Sequence, residues 1–345
     1  MTRLGWNTAR ESQLLSLGDP ALIPARIVRV DRGLSLAQTE EAIVRCTSDF
    51  HGAPVTVGDW VALEDLAGGE FLRVSEVLPR TSMLERSGGA IGAQAIAANV
   101  DFVFILQPCD GLNARRLERE LAQVWASGAS PVVILSKSDA VADASELLAE
   151  AGRVGRGVAV HATSSLTGEG VGDIAAYFDQ NATCGLIGPS GAGKSTLANA
   201  LLGEELMATA EVRADDRRGR HTTTARHLLP LPGGGALVDT PGMREFGLTG
   251  DSDAIHAVFT DISGVASNCR FRDCRHHGEP GCAVAVAIDS GEIENDRLAS
   301  YRKLEKEQEA WRARNDPIAR KEREQRWKSI ARGTRQRKKF GGKWS

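Results

Sequence analysis

The nine residues from Gly188 to Thr196 constrain the fold of this 345-residue chain more than any other stretch. They read Gly188, Pro189, Ser190, Gly191, Ala192, Gly193, Lys194, Ser195 and Thr196. The stretch lies between a short apolar run, 183–187, and a helix-like run, 197–202. A strand, a glycine-rich loop and a helix in this order predict a phosphate-binding loop, because loop amides and a helix N-terminus attract an anion. A flexible glycine-rich turn is the alternative, and it leaves the flanking runs unexplained.

Two residues of this loop carry specific chemistry in a site for a nucleoside triphosphate. We expect Lys194 to reach the outer phosphates and the Ser195 hydroxyl to bind Mg²⁺. Downstream, an apolar run ends in Asp239-Thr240-Pro241-Gly242. The Asp239 carboxylate can hold the shell of the Mg²⁺ ion, and the Gly242 amide can contact a γ-phosphate. These four residues are therefore candidate catalytic groups.

A polar, arginine-rich loop lies between the two motifs. It contains His221, Thr222, Thr223 and Thr224 after Gly219-Arg220. We predict that its hydroxyls close over the metal and the phosphate, with Thr222 and Thr223 as switch residues and Thr223 as a second Mg²⁺ ligand. A solvated turn is the alternative interpretation of this loop.

Residues that indicate the base come before the phosphate loop in the chain. An apolar run from Pro131 ends in Ser136, Lys137, Ser138 and Asp139, which resembles the Asn-Lys-x-Asp tetrad of GTPases. In such proteins the Asp carboxylate accepts hydrogen bonds from guanine, and adenine lacks the matching donor pair. The run 158–170 contains Ser164 and resembles the loop that touches the guanine oxygen. The tetrad and Ser164 are therefore candidate GTP contacts.

The order of these motifs is a circular permutation, and it is typical of one family. The chain resembles the circularly permuted ribosome small-subunit-dependent GTPases, the RsgA or YjeQ family, over nearly its whole length. The matching pieces are Val57-Gly58-Asp59-Trp60-Val61, Ala98-Asn99-Val100-Asp101, Ser136 to Asp139, Gly188 to Thr196, Gly219 to Thr224, Asp239 to Phe246 and a Cys/His cluster near residue 270. One departure is Ser136, where the family usually has Asn. A hydroxyl offers fewer hydrogen-bonding groups than an amide, so we expect Asp139 to carry the base discrimination.

Changes in composition and the positions of glycine-rich turns divide the chain into five parts. We predict a polar leader at 1–20, a small β-barrel at 21–80, a linker at 81–99, the nucleotide domain at 100–260 and a C-terminal module at 261–345. Short alternating runs separated by glycines indicate the barrel, and the resemblance implies that it is of the OB type. Strands alternating with helices in the nucleotide domain predict an α/β fold with a parallel sheet.

Three of the six cysteines cluster with histidine in the C-terminal part. Cys269, Cys274, His276 and Cys282 offer three thiolates and one imidazole, the set for a structural Zn²⁺ site. His277 is an equally placed imidazole by spacing alone, and the family pattern selects His276. The isolated Cys46, Cys109 and Cys184 are interpreted as structural. In a cytosolic chain, thiols in such a cluster favour metal over disulfide bonds.

Catalysis lacks one familiar group. Met243 follows Asp-x-x-Gly, where many GTPases carry a water-orienting glutamine. We expect Mg²⁺, Lys194 and backbone donors to supply catalysis, with His221 as a candidate water-positioning group. A solvent-facing loop histidine is the alternative for His221.

The C-terminal tail points to a polyanionic partner. Beyond Pro317 there are eleven basic and two acidic residues, a charge of +9, which leaves −12 on the rest of a chain whose total is −3. A solvated basic helix is the alternative. No apolar run approaches the ~20 residues that span a bilayer, so we expect a cytoplasmic protein without a membrane partner. No coiled-coil pattern is present, and we expect a monomer.

The resemblance implies a GTP-hydrolysing factor for late maturation of the small (30S) ribosomal subunit, binding its 16S rRNA. Hydrolysis would be stimulated by the subunit and would release the protein. An RNA-binding scaffold with vestigial hydrolysis is a second hypothesis, suggested by Ser136 and Met243. An ABC-type or kinase-like ATPase is a third, disfavoured by the missing LSGGQ-type signature and by the tetrad.

Overall fold

A mixed sheet of eleven strands runs through the protein. The computed structural model describes residues 1–31, 33–47, 49–50, 53–66, 71–87, 93–203, 226–239 and 252–315. The strands are β1 Ile23–Val30, β2 Leu34–Gln38, β3 Ile43–Thr47, β4 Asp49–Phe50, β5 Ala53–Pro54, β6 Trp60–Glu64, β7 Arg73–Val77, β8 Met83–Ser87, β9 Ala93–Ala98, β10 Phe102–Pro108, β11 Ser130–Ser136, β12 Ala159–Thr163, β13 Thr183–Ile187, β14 Arg226–Pro230 and β15 Ala236–Asp239. The helices are α1 Thr8–Leu15, α2 Ala114–Ala126, α3 Ser145–Val154, α4 Val171–Ala175, α5 Lys194–Leu202, α6 Ser252–Val258, α7 Thr260–Ala266, α8 Ala283–Asp289 and α9 Asn295–Asn315. Within these ranges, none of the helices is long and apolar enough to cross a membrane.

The nucleotide domain is built on the parallel half of this sheet. Its order is β12-β11-β10-β13-β15-β14, and the first five strands are parallel. Strand β14 runs antiparallel to β15 and makes the sheet mixed. Strand β13 is buried along its whole length, as expected for a strand covered on both faces. The predicted α/β architecture is confirmed.

The N-terminal strands pair in a closed ring. Strand β1 pairs with β2 and with β6, β2 pairs with β3, and β6 pairs with β7. A bridge between Cys46 and Leu72 joins the end of β3 to the start of β7. The ring encloses its own apolar cluster, which includes Ile27, Val61 and Leu63. Alternating burial along β2 supplies this core from one face of that strand, whereas β6 is buried from Trp60 to Leu63.

Strand β1 also joins the ring to the nucleotide domain. After a bulge between Ile27 and Arg29, its last residues pair with β14, with Arg29 opposite His227. A bulge bends a strand and increases its twist, which lets one strand serve two sheets. The ring and the parallel half therefore belong to one hydrogen-bonded sheet.

Two regions differ in conformation from their sequence-based description. The expected polar leader contains α1, and its Leu4 and Arg10 are buried. The expected linker contains an antiparallel hairpin, β8 and β9. The Gly-rich stretch that suggested a linker falls between these two strands. The hairpin region packs near Gly58, because the Ala98 amide donates to the Val57 carbonyl and Asn99 Nδ2 donates to Gly58 O at 3.0 Å. The N-terminal region joins it there, since Arg10 donates to Asn99 Oδ1 at 2.7 Å.

The C-terminal helices pack against α2. Leu298, Tyr301, Leu304 and Gln308 of α9 are all buried, as their spacing predicts. Arg297 donates to Asp261 Oδ2 at 2.7 Å and to Glu118 Oε1 at 2.8 Å, which joins α9 to α7 and to α2. Since this guanidinium is largely removed from water together with both carboxylates, loss of one partner would leave an unpaired buried charge.

Helix α2 brings a carboxyl group to the end of β10. Glu120 lies on the face that buries Leu117, Leu121 and Val124, and it accepts a hydrogen bond of 2.6 Å from Gln107 Nε2. Burial raises the pKa of Glu120 to about 7 from its ordinary 4.5, although nearby cations, first Arg116 and then Lys194 and Arg119, work in the opposite direction. Gln107 is fully buried.

We predict that Gly58→Ala strongly destabilises the protein. Gly58 has φ +87°, and a Cβ there would overlap the Ala98 carbonyl oxygen. Gly33→Ala is the matched control, because Gly33 has φ +92° and nothing within 4 Å of the added atom. The control should cost ~1 kcal/mol of unfolding free energy from backbone strain, and Gly58→Ala ~3 kcal/mol or more. Equal losses in thermal unfolding would contradict the close packing of the barrel on the hairpin.

A second prediction concerns pH. Because the pKa of Glu120 is raised to about 7 in the folded protein, folding favours its protonated form, and stability is lost as the pH rises from about 4.5 through about 7. Glu120→Gln removes this loss. The difference in unfolding free energy, variant minus parent, should therefore be larger at about pH 8 than at about pH 5. The increase should be ~1–2 kcal/mol, a value already reduced for the partial exposure of the side chain. Denaturant unfolding at both pH values measures it. Glu309→Gln, at an exposed site of α9, is the control; a parallel profile for both variants contradicts the prediction.

Candidate functional site

The phosphate loop leaves β13 in a conformation that only glycine adopts easily. Gly188 has φ +134°, and a Cβ there would overlap the carbonyl oxygen of Leu106 on the neighbouring strand. Gly193, at φ +83°, turns the chain into α5. The loop therefore follows β10 closely and ends at a helix N-terminus, where unpaired amides favour an anion.

Lys194 and Ser195 begin α5 at the end of this loop. Lys194 Nζ donates to the carbonyl oxygens of Gly188 at 2.9 Å and Pro189 at 2.7 Å, so its charge lies over the loop. Ser195 is half-buried in the first helical turn. An ammonium group and a hydroxyl at these positions fit the outer phosphates of a nucleotide and a Mg²⁺ ion bound to them.

The base tetrad lies at the same edge of the sheet. Parallel pairing aligns Ser136 at the end of β11 with Pro108 of β10 and with Thr163 of β12. Lys137 then adopts a left-handed conformation, φ 58°, and leads into a single 3-10 turn. Asp139 lies in that turn and is exposed. Because ligands of parallel α/β sheets bind at the carboxyl ends of the strands, this is the expected position for a base-binding carboxylate.

The loop after β12 completes this edge. Ser164 is buried, and its hydroxyl accepts from the Thr167 amide at 3.2 Å. Gly170 closes the loop with φ +69°, where a Cβ would overlap the Ala162 carbonyl oxygen. The phosphate loop, the tetrad and the Ser164 loop thus lie at the carboxyl ends of β13, β11 and β12, with β10 between β13 and β11. All three loops were predicted from the sequence as parts of the nucleotide site.

Ser136 contacts the phosphate loop directly. Its hydroxyl donates to the carbonyl oxygen of Ala192 at 2.8 Å. The side chain is 5% exposed. The two loops are therefore joined through a side chain of the tetrad.

Several predicted residues lie outside the ranges given above. His221, Thr222, Thr223 and Gly242 lie outside the described residues, and so does the basic tail beyond residue 315. Asp239 ends β15, which pairs with β13, the strand that leads into the phosphate loop. The side chain of Asp239 is not among the described parts of the structure. The magnesium and catalytic roles of these residues stay predictions.

Glu120 and Gln107 are site-adjacent residues that sequence reasoning missed. Gln107 ends the buried part of β10 beside Ser136, whose hydroxyl lies 3.4 Å from the Gln107 carbonyl oxygen. The charge of Lys194 acts on Glu120, which places the carboxyl group in the electrostatic field of the phosphate loop. The helical period was the available signal, because it puts Glu120 on the apolar face of α2.

The predicted metal ligands form one cluster. The ligand atoms of Cys269, Cys274, His276 and Cys282 lie within 4.8 Å of one another. His276, at φ 58°, directs Nδ1 to within 3.7 Å of Cys269 Sγ and 3.5 Å of Cys282 Sγ. His277 is exposed and does not belong to the cluster. Three thiols and one imidazole this close fit a tetrahedral Zn²⁺ ion with no position left for water.

Comparison with known proteins gives the family. The sequence profile of the RsgA GTPase family matches residues 77–249. A protein of Streptomyces avermitilis named small ribosomal subunit biogenesis GTPase RsgA is 42% identical over 94% of this chain and 90% of its own length. A protein of Opitutus terrae with the same name is 39% identical over 100% of this chain and 99% of its own.

Two solved structures share the fold. YjeQ from Thermotoga maritima superposes with a TM-score of 0.63 at 24% identity, over 83% of this chain and 98% of that one. YloQ, described as a circularly permuted GTPase, gives a TM-score of 0.61 at 23% identity over 84% and 96%. The order of motifs in this chain agrees with that description. The chain belongs to the RsgA GTPase family.

Proposed function

We propose that this protein hydrolyses GTP to GDP and phosphate as a late-stage biogenesis factor of the small (30S) ribosomal subunit. The carrying observation is that the phosphate loop, Asp139 and the Ser164 loop lie at one edge of the parallel sheet. Relatives that cover almost the whole chain are named small ribosomal subunit biogenesis GTPases. Together these observations support both the nucleotide and the biological setting.

The proposed roles follow the chemistry of each group. Asp139 accepts hydrogen bonds from guanine, and the aliphatic part of Lys137 covers the base. Lys194 neutralises the outer phosphates. Ser195 and Thr223 hold Mg²⁺, which supplies charge neutralisation at the transferred phosphate. Asp239 supports the metal shell, Gly242 and Thr222 contact the γ-phosphate side, and His221 positions the water.

The barrel is proposed as an OB-type RNA-binding domain covering 21–80. Five strands paired in the order β1-β2-β3-β7-β6, with β1 bonded to both β2 and β6, support this assignment. Half-buried Arg29 and exposed Arg45 and Arg73 on its strands can meet RNA phosphates. We propose 16S rRNA as the RNA, with 81–99 joining the barrel to a nucleotide domain at 100–260.

The C-terminal part, 261–345, is proposed as a zinc module with a basic tail. Burial opposes ionisation of the Cys269 thiol, but hydrogen bonds from the Val284 and Ala283 amides and from the neighbouring thiols outweigh it and lower its pKa. A thiolate is the form that binds zinc. These four residues would hold the ion with no open position, so it would fix the loop between α7 and α8 and supply no chemistry to hydrolysis. The tail adds a net charge of +9 for binding rRNA.

The proposed cycle couples docking to hydrolysis. GTP orders the residues around the γ-phosphate, the ordered form binds the subunit, and subunit-stimulated hydrolysis lowers its affinity so that the protein dissociates. The protein acts as a cytoplasmic monomer in this scheme.

Turnover of GTP and of ATP by the purified protein tests the proposal. Each nucleotide is assayed alone, with isolated small subunits and with large subunits as the control. GTP turnover that small subunits alone raise at least about tenfold, with little ATP turnover, is expected if docking orders catalytic groups. Strong ATP use would support an ATPase instead. Tight subunit binding with GTP turnover unchanged would support a scaffold.

The adjacent histidines test the zinc site. His276→Ala removes a ligand and should lower the zinc retained after dialysis against a chelator well below the expected value of about one ion per chain. His277→Ala is the matched control and should retain the parental amount, because His277 lies outside the cluster. Elemental analysis measures both. Equal retention by the two variants contradicts the assigned ligand set.

A further inference from the structure

Ser136 occupies a position in the base tetrad, but its hydroxyl is directed at the phosphate loop. Its hydroxyl is 2.8 Å from the Ala192 carbonyl oxygen and 3.4 Å from the Gln107 carbonyl oxygen. Both neighbours are acceptors, so the single hydroxyl hydrogen is used within the protein, and the shorter distance assigns it to Ala192. The side chain is buried beneath the loops.

The backbone holds Ser136 in the interior and brings Asp139 to the surface. The Ser136 carbonyl accepts from the Cys109 amide at 2.9 Å, which fixes the residue to the end of β10. Lys137 then turns left-handed and carries Asp139 to the surface. The tetrad is thus divided into a buried anchor, Ser136, and an exposed carboxylate, Asp139.

We infer that Ser136 is a positioning residue that fastens the phosphate loop to the base loop and makes no contact with guanine. Ala192 is fully buried and lies two residues before Lys194. Fixing its carbonyl fixes the part of the loop that presents amides to the phosphates. The distance between the base-binding carboxylate and the phosphate-binding amides is then set before the nucleotide arrives, which reduces the ordering cost of binding.

The inference also explains how this chain can have serine in place of the asparagine of the Asn-Lys-x-Asp tetrad that it resembles. The link to the phosphate loop needs one donor aimed at one carbonyl, and a hydroxyl supplies it. Base selection remains with Asp139. This inference rests on the proposed nucleotide site and assigns a role within it.

Ser136→Ala tests the inference with GDP and IDP as ligands. IDP lacks the 2-amino group that Asp139 would recognise. We expect both nucleotides to bind about three- to tenfold more weakly, since one buried hydrogen bond is lost, and the GDP to IDP affinity ratio to stay at the parental value. Asp139→Ala should instead reduce that ratio. The ³¹P resonance of the β-phosphate of bound GDP should shift in Ser136→Ala, because the loop amides move.

Two controls separate positioning from general stability. Ser82→Ala removes a similar bond, from a buried hydroxyl to the Val100 carbonyl at 2.6 Å, just outside the ends of β8 and β9. It should lower thermal stability at least as much while leaving GDP affinity and the ³¹P shift unchanged. Threonine and valine side chains have the same shape, and only threonine has a hydroxyl that can donate to the Ala192 carbonyl. Ser136→Thr should therefore bind GDP more tightly than Ser136→Val.

The outcomes are distinct. A Ser136→Ala variant with parental GDP affinity would overturn the inference and leave the nucleotide site standing. A change in its GDP to IDP ratio would overturn it in favour of a base contact. A ³¹P shift equal in Ser136→Ala and Ser82→Ala would reduce the role to fold stability. A parent protein that binds neither GDP nor GTP would overturn the site and the inference together.

Discussion

One buried cation, the guanidinium of Arg26, holds together three separate parts of the chain. It donates to the carbonyl oxygens of Leu4, Asn99 at 3.1 Å and Gly58 at 3.4 Å, and it lies 4.7 Å from the centre of the Trp60 ring. Burial lowers its pKa to about 10 from 12.5, with Asp101 acting in the opposite direction, so the group stays charged at neutral pH. An unpaired charge at this depth would be costly, and the N-terminal segment, the barrel and the start of the nucleotide domain must therefore assemble together.

The contacts around Arg26 give a structural role to two sequence motifs that have no role in nucleotide chemistry. Val57-Gly58-Asp59-Trp60 and Ala98-Asn99-Val100-Asp101 face each other across it. The Asp101 carboxylate then accepts from the Thr183 amide at 2.7 Å, at the start of the strand that leads to the phosphate loop. Residues far from the ligand thus fix where the central strand of the nucleotide domain begins.

Local patterns predicted the strand, loop and helix around Gly188–Thr196 and the buried stripe of α9, but they did not predict long-range pairing. The phosphate loop and the α9 stripe depend on neighbours within a few residues, so spacing alone revealed them. The β8–β9 hairpin was described as a linker because an Ala-rich strand lacks the alternation of a half-buried one. The pairing of Arg29 with His227 joins residues almost 200 positions apart, and a periodic pattern in the sequence does not predict such a pairing. The direction of Ser136 was hidden for the same reason, because its partner is a backbone atom of a distant loop.

Because of the circular permutation, the strand pairings connect the N-terminal barrel to both halves of the nucleotide domain. Strand β13, which leads to the phosphate loop, pairs with β10 of the base-binding half on one side and with β15 of the half that carries Asp239 on the other. The barrel continues by covalent connection through β8 and β9 into the base-binding half. It is hydrogen-bonded through β1 to β14, and β14 pairs with β15 so that His227 lies opposite Asp239. An N-terminal barrel in this chain order therefore contacts both halves of the nucleotide site, one through the chain and the other through the sheet.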